Sequence, residues 1–167
     1  MGMPRKLKNL NLFNDGTSYV GQVSEVTLPV LTRTMEAYRG GGMSGPVKVD
    51  MGQEEINLEW TCGGLMREPL RQYGITRHDG VQLRFAGAYQ RDDTGEVEVV
   101  VRGRNEEIDF GSQAAGEDTE FSCKTACSYY KLTINGETEI EIDLVNMVEN
   151  VGGVDRLAEQ RRAIGVG

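Results

Sequence analysis

The sequence lacks most of the residues on which enzyme active sites depend. His78 is the single histidine among 167 residues, and because Asp79-Gly80 follows it, we expect a solvated turn. One histidine leaves little room for histidine-based acid–base or metal chemistry. The chain contains neither a Gly-x-x-x-x-Gly-Lys-Ser/Thr phosphate loop nor a Gly-x-Ser-x-Gly nucleophile elbow. We therefore expect no catalytic site and no metal.

Cysteine is also scarce, with Cys62, Cys123 and Cys127 forming an odd set of three. If Cys123 and Cys127 lie on one strand, their four-residue spacing separates them by roughly 13 Å, which is too far for a disulfide. A metal pair would lack partners. We predict free thiols that act as small buried hydrophobic side chains.

Long apolar runs and an excess of positive charge are missing as well. No stretch reaches the ~20 apolar residues of a membrane helix, no signal peptide is evident, and Lys6 stands where a myristoylation signal needs Ser or Thr. These features predict a protein made in the cytosol without a lipid anchor. The net charge of −8 argues against a surface that grips nucleic acid phosphates and suits one along which DNA slides.

What the sequence does have is period-two alternation of apolar and polar residues, which predicts a mainly β fold. Ile56, Leu58 and Trp60 share one face of a strand and are predicted core residues. Hairpin turns are expected at 14–16, 92–95 and 135–136, since Asn-Asp-Gly and Asn-Gly tolerate positive φ. The expected architecture is one domain over 1–167, a β-sandwich or partly closed barrel with one or two short helices.

Helices and loops are expected in four places. Helical spacing predicts a helix within 65–74 and a short C-terminal helix over 154–164. Residues 103–118 show no pattern and predict a polar loop, and the glycine-rich segment 38–46 predicts a mobile loop. The last loop is long and has apolar residues at its tip, which is typical of loops that contact a partner.

Acidic residues form two candidate rows on strands. Glu96 and Glu98 alternate along one predicted strand, and Glu137, Glu139, Glu141 and Asp143 along another, opposite Ile140 and Ile142. A calcium site is the alternative interpretation, but carboxylates spaced by ~7 Å along a strand do not converge on one ion. Period two shows which residues share a face, and leaves open which face is solvated.

Several segments resemble the major tail tube proteins of contractile-tailed phages and of R-type pyocins. They are residues 3–7, 11–13, 26–33, 36–43, 49–52, 128–132, 141–146 and 153–158. The resemblance covers both ends and much of the middle of the chain, whereas 103–118 contributes little.

The resemblance implies a structural protein without enzyme activity or cofactor, synthesised in the host cytoplasm and found in the virion tail or pyocin particle. Its subunits would form a hexameric ring with a continuous luminal β-barrel, and rings would stack into a tube inside the sheath. Further implied partners are the baseplate and tail terminator proteins and, in the lumen, the tape measure protein. The tube would be driven through the target envelope and conduct DNA in a phage, without specific binding, or ions in a pyocin.

The extended loop 37–52 would contact the adjacent ring. Its candidate stacking residues are Tyr38, Arg39, Gly40, Gly41, Gly42, Met43 and Pro46. The acidic rows would face either the lumen or the sheath. A hypothesis from another class stays open, a free-standing small β-barrel that binds a ligand, and electron micrographs showing rings or monomers distinguish the two.

Overall fold

Tight turns connect several of the strands to their sequence neighbours. In the computed structural model, which describes residues 2–167, Asp15 (φ 48°) and Gly16 (φ 86°) form one two-residue turn, and Asn135 (φ 50°) and Gly136 (φ 83°) form another. Both pairs have the positive φ angles of a type I′ hairpin. The strands are Lys6–Asn14 (β1), Thr17–Ser18 (β2), Val23–Thr27 (β3), Arg33–Tyr38 (β4), Val47–Gln53 (β5), Ile56–Cys62 (β6), Val81–Gln90 (β7), Thr94–Asp109 (β8), Phe121–Ile134 (β9), Glu137–Asp143 (β10), Val148–Val151 (β11) and Val154–Asp155 (β12).

Two long strands hold the molecule together. The main sheet has the order β12-β11-β10-β9-β8-β7-β1-β2, and β6, which carries β3, pairs with the first half of β9. Strand β9 therefore pairs with β8 along one side and, on its other side, with β6 over its first half and with β10 over its second half. The strands β4 and β5 pair only with each other. The mainly β prediction is confirmed.

The core is one cluster of buried side chains that includes Trp60. The exposed fractions of Ile56, Leu58 and Trp60 are 1%, 0% and 2%. The Trp60 ring lies 5.7 Å from the Tyr19 ring and 6.2 Å from the Phe121 ring, measured between centroids. Strand β6 has the alternating burial of a half-buried strand, which follows from its period-two sequence.

The predicted loop over 103–118 is wrong for its first part, because β8 continues to Asp109 and pairs with β9. Two features hide this strand in the sequence. Its buried positions include Gly103 and Asn105, which are not apolar. A register shift between Asn105 and Glu107 then leaves Glu106 as an extra residue, so that the alternation changes phase.

Three other predicted elements are corrected. Helix α1 spans only Arg67–Arg71. Helix α2 spans Ala158–Ile164, because the turn at Gly152-Gly153 returns the chain to pair Val154–Asp155 with β11. The hairpin expected at 14–16 is short, because the chain leaves β1 after the two residues Thr17–Ser18, bends at Gly21 and continues as β3 beside β6.

Gly103 is expected to be intolerant of any side chain. A Cβ atom there would lie 1.9 Å from the Ala126 carbonyl oxygen and 2.8 Å from the Cys127 Cα, both backbone atoms. Gly103→Ala should lower the free energy of unfolding by about 1–3 kcal/mol, as overpacking does. Gly63→Ala is the control, because nothing lies within 4 Å of its added Cβ. Equal urea midpoints for the two variants would contradict the close approach of β8 and β9.

Candidate assembly surfaces

The expected loop over 37–52 is the distal part of a β-hairpin, here called the arm (residues 33–53). The arm consists of β4 and β5, which form a sheet of their own. Its side chains are mostly exposed although many are apolar. The large apolar residues of the arm that are exposed are Met35, Tyr38, Val47, Val49 and Met51. A two-stranded hairpin with apolar side chains on its surface has few contacts to stabilise it by itself.

The tip of the arm is a hydrogen-bonded turn. The Met43 amide donates to the Gly40 carbonyl (3.2 Å), and the Gly40 amide donates to the Met43 Sδ (3.0 Å). Arg39 Nε donates to the Met43 carbonyl at 3.1 Å. Gly42 has φ 84°, the conformation that favours glycine. The segment predicted to be mobile thus has a defined turn, which the Met43 amide closes.

Arg33 holds the base of the arm. Its Nε lies 2.9 Å from Asp50 across the hairpin, and its Nη1 lies 2.6 Å from Glu149 on β11. The Arg33 guanidinium and the Gly52 amide hold the pKa of the Asp50 carboxyl below its ordinary value. A cavity of about 780 Å³ separates the arm base from β10, β11 and α2. The arm is therefore anchored by charge rather than by a continuous apolar core.

A second surface is the outward face of β1, β7, β10, the first half of β8 and the second half of β9, here called the polar face. It carries Glu96 and Glu98 opposite Ala88 and Ala86. Arg84 pairs with Glu98 at 3.3 Å and stacks over Phe13 at 4.0 Å. The sequence alone did not identify Arg84 as a partner of these acids. Its positive charge offsets part of the negative charge of the polar face.

The expected single row of acids on β10 is broken. Thr138 pairs with Thr133 and Ile140 with Leu132, so Glu139 is an extra residue in a bulge. Glu137 consequently lies opposite Ile134, on the face of Leu132, whereas Glu141 and Asp143 share the polar face with Lys131 and Tyr129. The polar face retains four candidate acids, namely Glu96, Glu98, Glu141 and Asp143.

Tyr129 lies on the polar face, whereas unbroken alternation from Cys123 and Cys127 would place it on the buried face of those cysteines. The register shift between Arg102 and Gly103 makes Ser128 the extra residue of β9, so Tyr130 is buried instead. The Tyr129 hydroxyl donates to Glu141 at 2.5 Å, and Arg102 stacks over its ring at 4.5 Å. Burial, with the adjacent Glu141 carboxylate, raises the pKa of Tyr129 to about 12.

A third surface, here called the acidic patch, was missed in the sequence. Glu59 and Glu107 lie on either side of Lys124 across β6, β9 and β8, and Asp109 lies beside Ser122 one row further on. Glu25 lies opposite Thr61 in the same row as Asp109. Glu107 and Asp109 fall in the predicted loop, so only the pairing of distant strands brings this patch together.

The remaining residues with potential chemical roles, the histidine and the three cysteines, have structural contacts instead. His78 Nδ1 lies 3.1 Å from the Ser128 hydroxyl. The three cysteines are free and buried, as predicted, and burial raises the pKa values of Cys123 and Cys127 to about 12. Among residues 2–167, no cluster of His, Cys, Asp or Glu has the arrangement of a metal site. In the same range, no helix combines the length and hydropathy needed to cross a membrane.

Comparison with known proteins shows matches along nearly the whole chain. A family model described as "Phage tail tube protein FII" matches residues 4–165. The chain is 51% identical over 172 residues to the tail tube protein of Escherichia phage P2, which covers 99% of this chain and 100% of that protein. It is 37% identical over 150 residues to the major tail tube protein of Serratia phage KSP20, covering 89% and 88% respectively.

A solved structure shows a similar fold. A chain in the six-fold symmetrised cryo-EM structure of the anti-feeding prophage baseplate superposes with a TM-score of 0.51 at 10% sequence identity. The superposition covers 74% of this chain and 90% of that chain. At this identity the likeness concerns the fold alone.

Proposed function

The chain belongs to the phage tail tube protein FII family, and we propose that its copies form six-membered rings that stack into a hollow tube through the arm. The resemblance found in the sequence is confirmed, and the protein is a structural subunit of a contractile tail tube, located in the virion tail and made in the host cytoplasm. The observation that carries the stacking proposal is the arm, a hairpin whose apolar side chains are exposed in the single chain.

The proposal also includes the other proteins that the tube contacts. The tube contacts the sheath on its outside, the baseplate and tail terminator proteins at its ends, and the tape measure protein in its lumen. The function of the tube is mechanical and not catalytic. Sheath contraction drives the rigid tube through an envelope, and the lumen conducts the cargo. A ring also solves a physical problem of the single chain, because it covers sheet edges that would otherwise be open to uncontrolled pairing.

Negative-stain micrographs and mass measurement of the purified protein test the proposal. We expect rings with a central hole, and tubes at higher concentration. A monodisperse monomer under all conditions would contradict the proposal and favour a free-standing ligand-binding barrel.

We further propose that the polar face lines the lumen. It carries both acids (Glu96, Glu98 and Glu141) and cations (Arg84, Arg102 and Lys131). The acids Glu96 and Glu98 lie opposite the small residues Ala88 and Ala86 on β7. Such a wall offers phosphates no continuous positive track on which to bind.

Reversing the acids should make the lumen bind DNA. We expect Glu96→Lys combined with Glu98→Lys to give normal tubes that retain short duplex DNA when it is present during assembly. The retained DNA should resist nuclease, because it lies inside. The matched control is Glu59→Lys with Glu107→Lys in the acidic patch, which should bind DNA that remains nuclease-sensitive. Protection by the control variant, and not by the first, would assign the lumen to the acidic patch instead.

A further inference from the structure

A groove lies between helix α1 and the end of β8 and is here called the α1 groove. Strand β7 pairs with β8 only as far as Gly103, so beyond this residue β8 has β9 on one side and α1 on the other. The groove has a volume of about 350 Å³, and no residue of the arm lines it. Tyr73 is 60% and Phe110 is 44% exposed. Its apolar lining residues are Leu70, Tyr73, Ile108 and Phe110. An exposed apolar surface of this kind is typical of a site that a partner covers.

The arm has one apolar face that could cover such a groove. Tyr38 lies directly opposite Val47, and Val49, two residues further along β5, shares their side of the hairpin. These side chains are 61%, 57% and 46% exposed. Ala37 and Lys48 lie opposite each other on the reverse side. The arm therefore offers a single strip of apolar side chains, which needs one apolar surface to bury it.

The arm and the α1 groove also carry opposite charge. The outer half of the arm has two charged side chains, Arg39 and Lys48, and both are basic. Neither forms an ion pair among residues 2–167. The lining of the groove contains Glu106 and Glu107 and no basic residue, and Lys124 lies 4.0 Å from Glu106. Opposite charges of this kind favour encounter of the two surfaces and oppose the contact of either surface with itself.

The base of the arm and the α1 groove lie towards opposite ends of β9. Arg33 at the base bonds to Glu149, and cross-strand partners connect Glu149 through β10 to Tyr130 of β9. The ring of Phe110 in the groove lies 5.7 Å from that of Phe121, the first residue of β9. The nine residues from Phe121 to Tyr130 span roughly 30 Å in an extended strand. A contact between two different surfaces at opposite ends can repeat from copy to copy along an axis, as stacking requires.

We propose that the apolar face of the arm binds the α1 groove of a copy in the adjacent ring. This inference rests on the proposed stacking of rings and names the surface that receives the arm. Tyr38, Val47 and Val49 would be buried against the apolar lining, and the basic tip would lie beside the acidic rim. The occupant is a second copy of this chain, because the arm matches the groove in both apolar surface and charge.

Cross-linking between copies tests the proposal. Ser44→Cys places a thiol at the exposed tip of the arm, and Tyr73→Cys places one in the groove. The three native cysteines are buried and should not react. A short, flexible bismaleimide added to tubes of this double variant should give a ladder of covalent oligomers on a denaturing gel. The control pair is Ser44→Cys with Ile164→Cys, since Ile164 is 63% exposed on α2. The control should give no ladder.

A substitution within the groove gives a second readout. Tyr73→Lys should form rings but require about tenfold or more protein to form tubes, because it removes an aromatic anchor and adds a charge that repels Arg39. The matched control is Ile164→Lys, which changes the net charge equally and should form tubes at the normal concentration. The fluorescence of Trp60 reports that each variant is folded.

The possible outcomes separate this contact from the ring itself. A ladder from the control pair, or no ladder from Ser44→Cys with Tyr73→Cys in intact tubes, would overturn the groove as the receiving surface and leave it open to the sheath protein. Normal tubes from Tyr73→Lys would overturn it as well. In each case the stacking role of the arm would stand. Failure of the unmodified chain to form tubes would instead overturn the proposed function.

Discussion

Deletion of residues 40–45 is expected to give a folded subunit that forms rings but no long tubes. The deletion removes the turn in which Met43 bonds to Gly40, and with it the tip of the arm. The core is unaffected because the arm is a separate two-stranded sheet. Ring and tube lengths in electron micrographs, with an unchanged urea midpoint, would check this result.

The matched control is deletion of residues 112–117 from the exposed loop between β8 and β9, which removes the same number of residues. This variant should still form tubes of normal length. Long tubes from the 40–45 deletion would remove the stacking role from the arm tip, and loss of tubes from both deletions would mean that the effect is not specific to the arm.

Trp60→Ala is expected to cost about 3–5 kcal/mol of unfolding free energy. Trp60 is 2% exposed and contacts Tyr19 and Phe121 across the core, so truncation leaves a cavity that its aromatic neighbours cannot fill. A loss of this size is a large part of the stability of a small domain. Denaturant unfolding followed by circular dichroism measures it.

Tyr73→Ala is the control for Trp60→Ala, because the Tyr73 side chain is 60% exposed and its removal should change stability by less than about 0.5 kcal/mol. The fluorescence of the unmodified protein gives an independent check, since its only tryptophan should emit at short wavelength and resist quenching. A red-shifted, readily quenched emission would contradict the placement of β6 in the core.

Regular strands and tight turns could be predicted from the sequence because their signals are local. Alternation places Ile56, Leu58 and Trp60 on one face whatever strand lies beside them. Asn135-Gly136 is compatible with a type I′ turn by the φ preferences of its two residues alone. The arm was located by its glycines, although its hairpin pairing was not foreseen.

Bulges account for most of the errors. Extra residues at Ser128 and Glu139 invert the alternation, which moves Tyr129 onto the polar face and Glu137 off it. Bulges arise from the pairing between strands and leave no fixed signature in either strand. The acidic patch was missed for a related reason, because β3, β6, β9 and β8 are distant in the chain and adjacent only in the sheet.

The most direct test of the proposed assembly is a helical reconstruction by cryo-EM of tubes assembled from the purified chain. We expect six copies in each ring, a lumen lined by the polar face, and the arm of each copy in contact with the adjacent ring. Rings with another number of copies, or arms that contact only their own ring, would contradict the proposed assembly.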